Sequence, residues 1–207
     1  MTDKIPVATT KRLPLYYRFL TELYNRGTLK ISSSELADLI KIDSTTIRRD
    51  FSHFGQMGRR GYGYDVKELL GFFKDILDQD VQTTVALVGV GHLGHALLNF
   101  NFHKSSNVRI GVAFDVNPSV IGTKEGEVEV FAMDNLKEQI KLHKTDVAIL
   151  TVPTDAAQEI TDELVEAGIS GIMNFTTERL AVPDNISVQN VDLTSELQNL
   201  IYAIGHK

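Results

Sequence analysis

Residues 84–94, Thr84-Val85-Ala86-Leu87-Val88-Gly89-Val90-Gly91-His92-Leu93-Gly94, constrain the fold more than any other stretch. Five aliphatic and β-branched residues suit a strand buried on both faces. They run without a break into three glycines at G-x-G-x-x-G spacing, and the residues from 95 to 102 read as helix. In that arrangement Gly89 allows the tight turn, Gly91 lets the backbone approach a pyrophosphate, and Gly94 lets helix and strand pack closely. Val90, His92 and Leu93 complete the loop, and the helix N-terminus offers unpaired N–H groups to the phosphates. A second strand over 109–114 ends at Asp115, 21 residues after Gly94. An acid there accepts hydrogen bonds from the adenosine ribose hydroxyls and repels a 2′-phosphate. No arginine follows in Val116-Asn117-Pro118, which favours NADH and NAD+ over the phosphorylated dinucleotides.

The remaining pattern continues the same architecture. Strands are expected over 128–131, 146–152, 171–175 and 186–191, with helices over 134–144 and 155–167. This is an α/β fold with a Rossmann-like doubly wound parallel sheet. Ligands in such sheets bind beyond the carboxyl ends of the strands. Those ends are the glycine loop, Asp115-Val116, Thr151-Val152-Pro153 and Asn174-Phe175. For Thr151, Pro153 and Asn174, ordinary turn chemistry is an equally good explanation.

The 64 residues at the N-terminus read differently. The chain has 207 residues and a net charge of −6, which as an average argues against a nucleic-acid partner. The charge is unevenly spread, however. Residues 1–64 hold 11 Lys+Arg against 6 Asp+Glu, a balance of +5, and the other 143 hold 10 against 21, a balance of −11. Within the basic part a helix is expected over 14–25, ended by Gly27. Ser32 and Glu35 form a capping-box pattern opening a second helix. After a break at 41–43, a third runs from Ser44 to about Phe54. Helix, short turn, helix is the helix-turn-helix pattern. Ser44, Thr45, Thr46, Arg48, Arg49 and Ser52 supply the short polar residues and guanidinium groups that reach base edges and phosphates. Ile47 and Phe51, four apart, face inward.

The next segment, residues 55–64, sets four glycines and alternating tyrosines around Arg59 and Arg60, which suits a β-hairpin wing beside the recognition helix. A helix over 65–77 leads to a boundary at 78–80. The expected domains are therefore a winged-helix DNA-binding domain over 1–78, an NAD(H)-binding domain over 79–191, and a C-terminal helix over 192–207. That last helix carries Leu193, Leu197, Leu200, Ile201 and Ile204 on one face and is expected to join two subunits.

Other classes are harder to fit. The absence of cysteine removes disulfides, thiolate metal sites and thiol redox switches. No apolar run reaches the ~20 residues of a membrane span, and residues 1–19 lack a signal-peptide core, so a cytoplasmic protein without membrane contact is expected. His92 and His95 share a helix face without further ligands, and no metal is expected. A dehydrogenase needs a substrate domain and a proton donor near the nicotinamide, and after residue 190 only one helix remains. A small NAD(P)-dependent oxidoreductase and a coenzyme A-binding module remain as alternatives to a non-enzymatic regulator.

These segments together resemble the Rex family of redox-sensing transcriptional repressors over nearly the whole chain. The likeness rests on YYRFLTEL, SSSELADLIKIDSTTIRRDFSHFG, RRGYGY, VGVGHLG, AFDVNP, LTVP, GIMNF and NVDL. It implies a homodimer with a domain-swapped C-terminal helix that binds double-stranded operator DNA. Respiratory and fermentative genes are then repressed when NADH is low and released when it rises. It places Gly89, Gly91 and Gly94 on the pyrophosphate loop and Asp115 on the ribose. It also places Arg18 and Asp192 in an intersubunit signalling triad near the nicotinamide, whose third member is a tyrosine. Phe100 stands at that place here. It can pack against the nicotinamide but cannot hydrogen-bond Asp192.

Overall fold

Separate hydrophobic cores on either side of residue 81 organise the chain in the computed structural model, which describes residues 5–55, 57–59, 62–100, 102 and 107–206. The first unit contains α1 (Val7–Thr10), α2 (Leu13–Asn25), β1 (Lys30–Ile31), α3 (Ser33–Ile40), α4 (Ser44–Ser52), β2 (Gly58–Arg59), β3 (Gly63–Asp65) and α5 (Val66–Ile76). Helical spacing puts Leu13, Tyr16 and Leu20 of α2, Leu36 and Ile40 of α3, Ile47 and Phe51 of α4, and Leu69 and Phe73 of α5 into one core. Aromatic rings bind its parts: Tyr16 stacks on Phe73 with centroids 5.9 Å apart, and Phe51 meets Tyr16 edge-on at 5.2 Å.

The capping box forms as expected. Ser32 Oγ accepts the Glu35 N–H at 3.1 Å, and Glu35 Oε2 accepts the Ser32 N–H at 2.8 Å. Two elements went unseen in the sequence. The single turn α1 precedes α2, and the two-residue β1 pairs with β3 to give a three-stranded sheet in the order β1-β3-β2. Both are too short to show a period.

The second unit contains β4 (Thr83–Val88), α6 (His92–Leu98), β5 (Val108–Asp115), β6 (Lys124–Glu125), β7 (Val128–Ala132), α7 (Leu136–His143), β8 (Val147–Leu150), α8 (Ala157–Glu166), β9 (Gly171–Asn174), β10 (Ser187–Asn190) and α9 (Leu193–Gly205). Among the described residues its sheet has the order β10-β9-β8-β4-β5-β7-β6. All pairings are parallel except the edge pair β6–β7, which the periodicity did not disclose. Side chains alternate between two cores. Ala86, Val88, Ala148 and Leu150 face α7 and α8, while Val85, Leu87 and Ile149 face the opposite side with Leu97 and Leu98. A register shift opposite Val85 and Ala86 puts Ile110 and Val112 of β5 on different faces.

Helix α6 starts at His92, earlier than the expected 95, because the glycine loop itself forms its first turn. It stops at Leu98, where the Asn99 amide bonds the His95 carbonyl at 3.0 Å. Helix α9 buries none of its residues.

Candidate nucleotide site and nucleic-acid interface

In the second unit the glycine loop joins β4 to α6 at the carboxyl edge of the sheet. Gly89 has φ +92°, and a Cβ there would lie 2.6 Å from the Thr151 carbonyl oxygen. A Cβ on Gly94 would lie 2.0 Å from the Gly89 carbonyl oxygen. Both glycines are thus demanded by the protein's own backbone. Gly91 is different: it is extended, with φ −74°, and a Cβ there would meet nothing within 4 Å. A side chain would only fill the open space before the N-terminus of α6, whose first turn no side chain caps. Open space held by a glycine the fold does not need, facing uncapped N–H groups, fits an approaching pyrophosphate.

The neighbouring strand ends brace this loop. Asp115 Oδ2 accepts the Val90 N–H at 2.6 Å, and its Oδ1 accepts the Asn117 N–H at 2.8 Å. The expected ribose acid therefore also ties β5 to the loop, with lone pairs left for hydroxyl donors. Thr151 Oγ1 donates to the Gly89 carbonyl at 2.7 Å, and the Val152 side chain packs beside Gly89. Pro153 opens the turn that leads into α8. Asn174 is fully buried and its amide is committed inside the protein. Nδ2 donates to the Glu178 carbonyl and to Asn190 Oδ1, both at 2.9 Å, and Oδ1 accepts from Thr176. The turn-chemistry reading thus accounts for the side chains of Thr151 and Asn174. Phe175 continues the edge, its N–H donating to the Leu150 carbonyl at 3.0 Å. His92, Leu93 and Val116 are exposed around the loop.

Phe100 is not brought to this edge. It stacks edge-on against Phe102, centroids 4.8 Å apart, in a groove of about 330 Å³ with Arg109 and Ile110 from the amino-terminal half of β5. Asp192 caps α9 and accepts the Thr194 and Ser195 N–H groups at 3.0 and 3.1 Å. The Ser195 hydroxyl and then these amides hold its carboxyl below the usual range. Capping is a role the sequence reading did not assign to it.

In the first unit α4 stands as a recognition helix would. Asp43 caps it, accepting the Thr45 N–H at 2.7 Å and also the Thr45 hydroxyl. Thr45, Arg48, Arg49 and Ser52 are exposed, and Ser44 and Thr46 are half-buried. Arg48 lies back along the helix, with Nε 3.2 Å from the Ser44 carbonyl. Arg49 has no ion-pair partner among the described residues. Strands β2 and β3 form the arms of the wing, and Lys30 Nζ sits 3.5 Å from the centre of the Tyr62 ring. Between α3, α4 and the wing runs a groove of about 830 Å³ whose walls include Lys30, Arg48, Ser52 and Tyr62. Arg60 and the side chain of Arg59 lie outside the described residues. Arg18 is exposed on α2, its guanidinium carbon 5.4 Å from the Phe19 ring centre.

A charged cluster beneath α4 escaped the sequence reading. Asp50 is 2% exposed. Its Oδ1 accepts from Thr9 Oγ1 at 2.9 Å and Arg12 Nη2 at 2.7 Å, and its Oδ2 accepts from Arg12 Nε at 2.6 Å and Tyr16 Oη at 2.5 Å. Burial pushes the Asp50 carboxyl up, but the bonds from Arg12, Tyr16 and Thr9 outweigh it and hold it below the usual range. The signal was an acid on the inward stripe of a helix, between Ile47 and Phe51.

A helix-turn-helix with a β wing, joined to a dinucleotide-type Rossmann domain, defines a DNA-binding regulator with a nucleotide-sensing domain. Comparison with known proteins narrows this class. Residues 4–52 match a family model described as a putative DNA-binding protein N-terminus, and residues 80–178 match a CoA binding domain. The chain is 60% identical over 203 residues to the redox-sensing transcriptional repressor Rex of Ligilactobacillus salivarius, covering 98% of this chain and 95% of that protein. It is 62% identical to the Rex of Leuconostoc citreum, covering 98% and 94%. The solved structure of RSP in complex with β-NAD+ and operator DNA superposes with a TM-score of 0.89 at 37% identity, covering 97% of this chain and 93% of that one. RSP in complex with β-NADH gives 0.86 at 35%, covering 97% and 94%. The chain belongs to the Rex family of redox-sensing transcriptional repressors.

Proposed function

We propose that this chain represses transcription from operator DNA when NADH is scarce and leaves the operator when NADH binds. The observation that carries the nucleotide half is Gly91, a glycine whose only evident use is to keep space open before α6. The exposed Thr45, Arg48, Arg49 and Ser52 on α4 carry the DNA half; Arg59 and Arg60 would add contacts to the DNA backbone. Gly89, Val90, Gly91, His92, Leu93 and Gly94 would hold the pyrophosphate, and Asp115 and Val116 the adenosine ribose. Residues 151–153 and 174–175 would line the path to the nicotinamide, largely through backbone. The family's solved complexes with NAD+ and NADH support this cofactor pair. Bound NADH acts here as a signal; no hydride leaves it.

The apolar face of α9 supports a homodimer. Leu193, Leu197, Leu200, Ile201 and Ile204 are each more than half exposed, and covering such side chains is worth roughly 1 kcal/mol apiece. A dimer matches two operator half-sites about 34–36 Å apart or a multiple of that. Phe100, Arg18 and Asp192 would then meet near the nicotinamide across subunits. No helix among the described residues is long and apolar enough to cross a membrane, and a repressor of this kind works in the cytoplasm on the chromosome.

Coupling follows from linkage. NADH must bind the DNA-incompetent state of the dimer better than the competent one, and DNA then weakens NADH by the same factor. The test is operator affinity at fixed salt across NADH/NAD+ ratios, with NADPH and coenzyme A as further arms. NADH is expected to weaken binding while coenzyme A does nothing. Equal operator affinity with saturating NADH and with no nucleotide would refute the reading, and repeated hydride transfer to a substrate would make the chain an enzyme.

A further inference from the structure

We propose that Asp50 is a positioning residue for operator recognition. It locks the rotation of α4 against α1 and α2, so that the exposed side chains of α4 meet the bases in one register. The inference rests on the operator-binding reading above.

Each oxygen of the carboxylate accepts two hydrogen bonds, and the donors are Thr9 of α1, Arg12 of the connection and Tyr16 in the first turn of α2. Arg12 supplies two through its fork, so the pair is directional as well as charged. The other buried contacts of α4, Ile47 and Phe51, are apolar; they set which side of the helix faces the core, but ring and aliphatic packing tolerates small rotations that a two-pronged charged hydrogen bond does not. That difference matters for a helix of nine residues. Turning it by about 20° moves a side-chain tip, roughly 5–6 Å from the axis, by about 2 Å. A hydrogen bond to a base edge does not survive such a shift, whereas attraction to the phosphates changes little over the same distance.

A merely stabilising role predicts something else. Buried ion pairs can often be exchanged for apolar residues of similar volume without loss of stability. A cluster kept for stability alone would therefore be replaceable with no effect on sequence reading. The location argues for register: the carboxylate projects from the inward side of the same turn that presents Arg49 and Ser52 outward.

The experiment compares wild type with Asp50→Asn, Arg12→Lys, and a fourfold apolar variant, Thr9→Val/Arg12→Met/Tyr16→Phe/Asp50→Leu. Each is taken as the full chain. One probe is a duplex selected from a randomised pool by the wild-type protein; the other is its scrambled counterpart. Affinities are measured at one salt concentration, alongside thermal melting and NADH binding. The fourfold variant is expected to melt near wild type, bind NADH normally and bind the scrambled duplex within about twofold, yet lose about tenfold or more on the selected duplex. Arg12→Lys keeps the charge but loses the fork, and is expected to lose selectivity likewise. If Asp50→Asn does not fold, the fourfold variant still decides. A folded fourfold variant with wild-type selectivity, or with equal losses on both duplexes, overturns the proposal. A wild type that enriches no sequence from the pool overturns the operator-binding reading and this inference with it.

Discussion

The two units expose their chemistry through different parts of the polypeptide. In the winged-helix unit the candidate interface is made of side chains: Thr45, Arg48, Arg49 and Ser52 project from α4, and the backbone behind them is paired within the helix. In the Rossmann unit it is made largely of backbone, with Asp115 the side chain proposed for the ribose, and Gly89, Gly91 and Gly94 matter for the atoms they lack. A DNA surface built from long side chains can be altered one contact at a time. A pyrophosphate site built from a bare loop is altered by adding a single carbon.

This contrast can be broken at several points. The largest effect is expected from Gly94→Ala, whose Cβ would fall 2.0 Å from the Gly89 carbonyl oxygen. With backbone on both sides the clash has little room to relax, and a loss of about 3 kcal/mol or more is expected in denaturant unfolding of the second unit. Gly91→Val should do the opposite. The unit is expected to keep its stability, since a Cβ there meets nothing within 4 Å, but NADH affinity by calorimetry falls by about 2–3 kcal/mol, the order of lost bonds to a charged phosphate. If both variants merely destabilised the unit, the distinction between the glycines would fail.

Asp115→Arg sharpens the same point. It removes the ribose acceptor and the brace on Val90 together, so NADH affinity should drop by about 2 kcal/mol while NADPH gains relative to it. Unchanged NADH binding would remove Asp115 from the site. On the DNA side, Arg48→Ala and Arg49→Ala should leave NADH binding alone. Whichever arginine reads a base costs ~1–3 kcal/mol and relaxes sequence preference, whereas a phosphate contact reduces the salt slope by about 0.9.

The smallest effect concerns acid. The folded Asp50 carboxyl is held below its usual range. Its contribution is therefore present above the unfolded value near 4 and is lost as pH falls through the folded value. The stability gap between wild type and Asp50→Asn should be constant near neutrality and close below about pH 4. A gap that stayed constant through pH 3 would show that the carboxylate's charge is not what the cluster uses.

How far the residues could be read depended on the range of the interaction. Helices longer than about two turns and the buried parallel strands announced themselves by period, and the capping box and G-x-G-x-x-G by spacing. α1, β1 and β6 did not, because two to four residues carry no period. The start of α6 was placed three residues late, because the glycine loop suggested a turn where the structure continues directly into helix. Among the candidate site residues, the loop glycines and Asp115 could be proposed from position alone. The hydrogen-bond commitments of Asn174, Thr151 and Asp192 were not, since their partners are set by how turns and caps close. Phe100 was expected beside the nicotinamide, but the single chain puts it against Phe102 and β5.

The sequence by itself determined the class of each unit. Hydrophobic period, caps and glycine spacing are local properties, and charge sums need no geometry; the split into +5 and −11 follows from composition alone. Only the tertiary structure decided what each polar group does. It showed which glycine the protein could spare, that Asp115 holds the glycine loop, and that Asp50 is shared by four hydrogen bonds from residues 34 to 41 positions away. A carboxylate's role depends on which donors reach it, and packing between distant elements sets that.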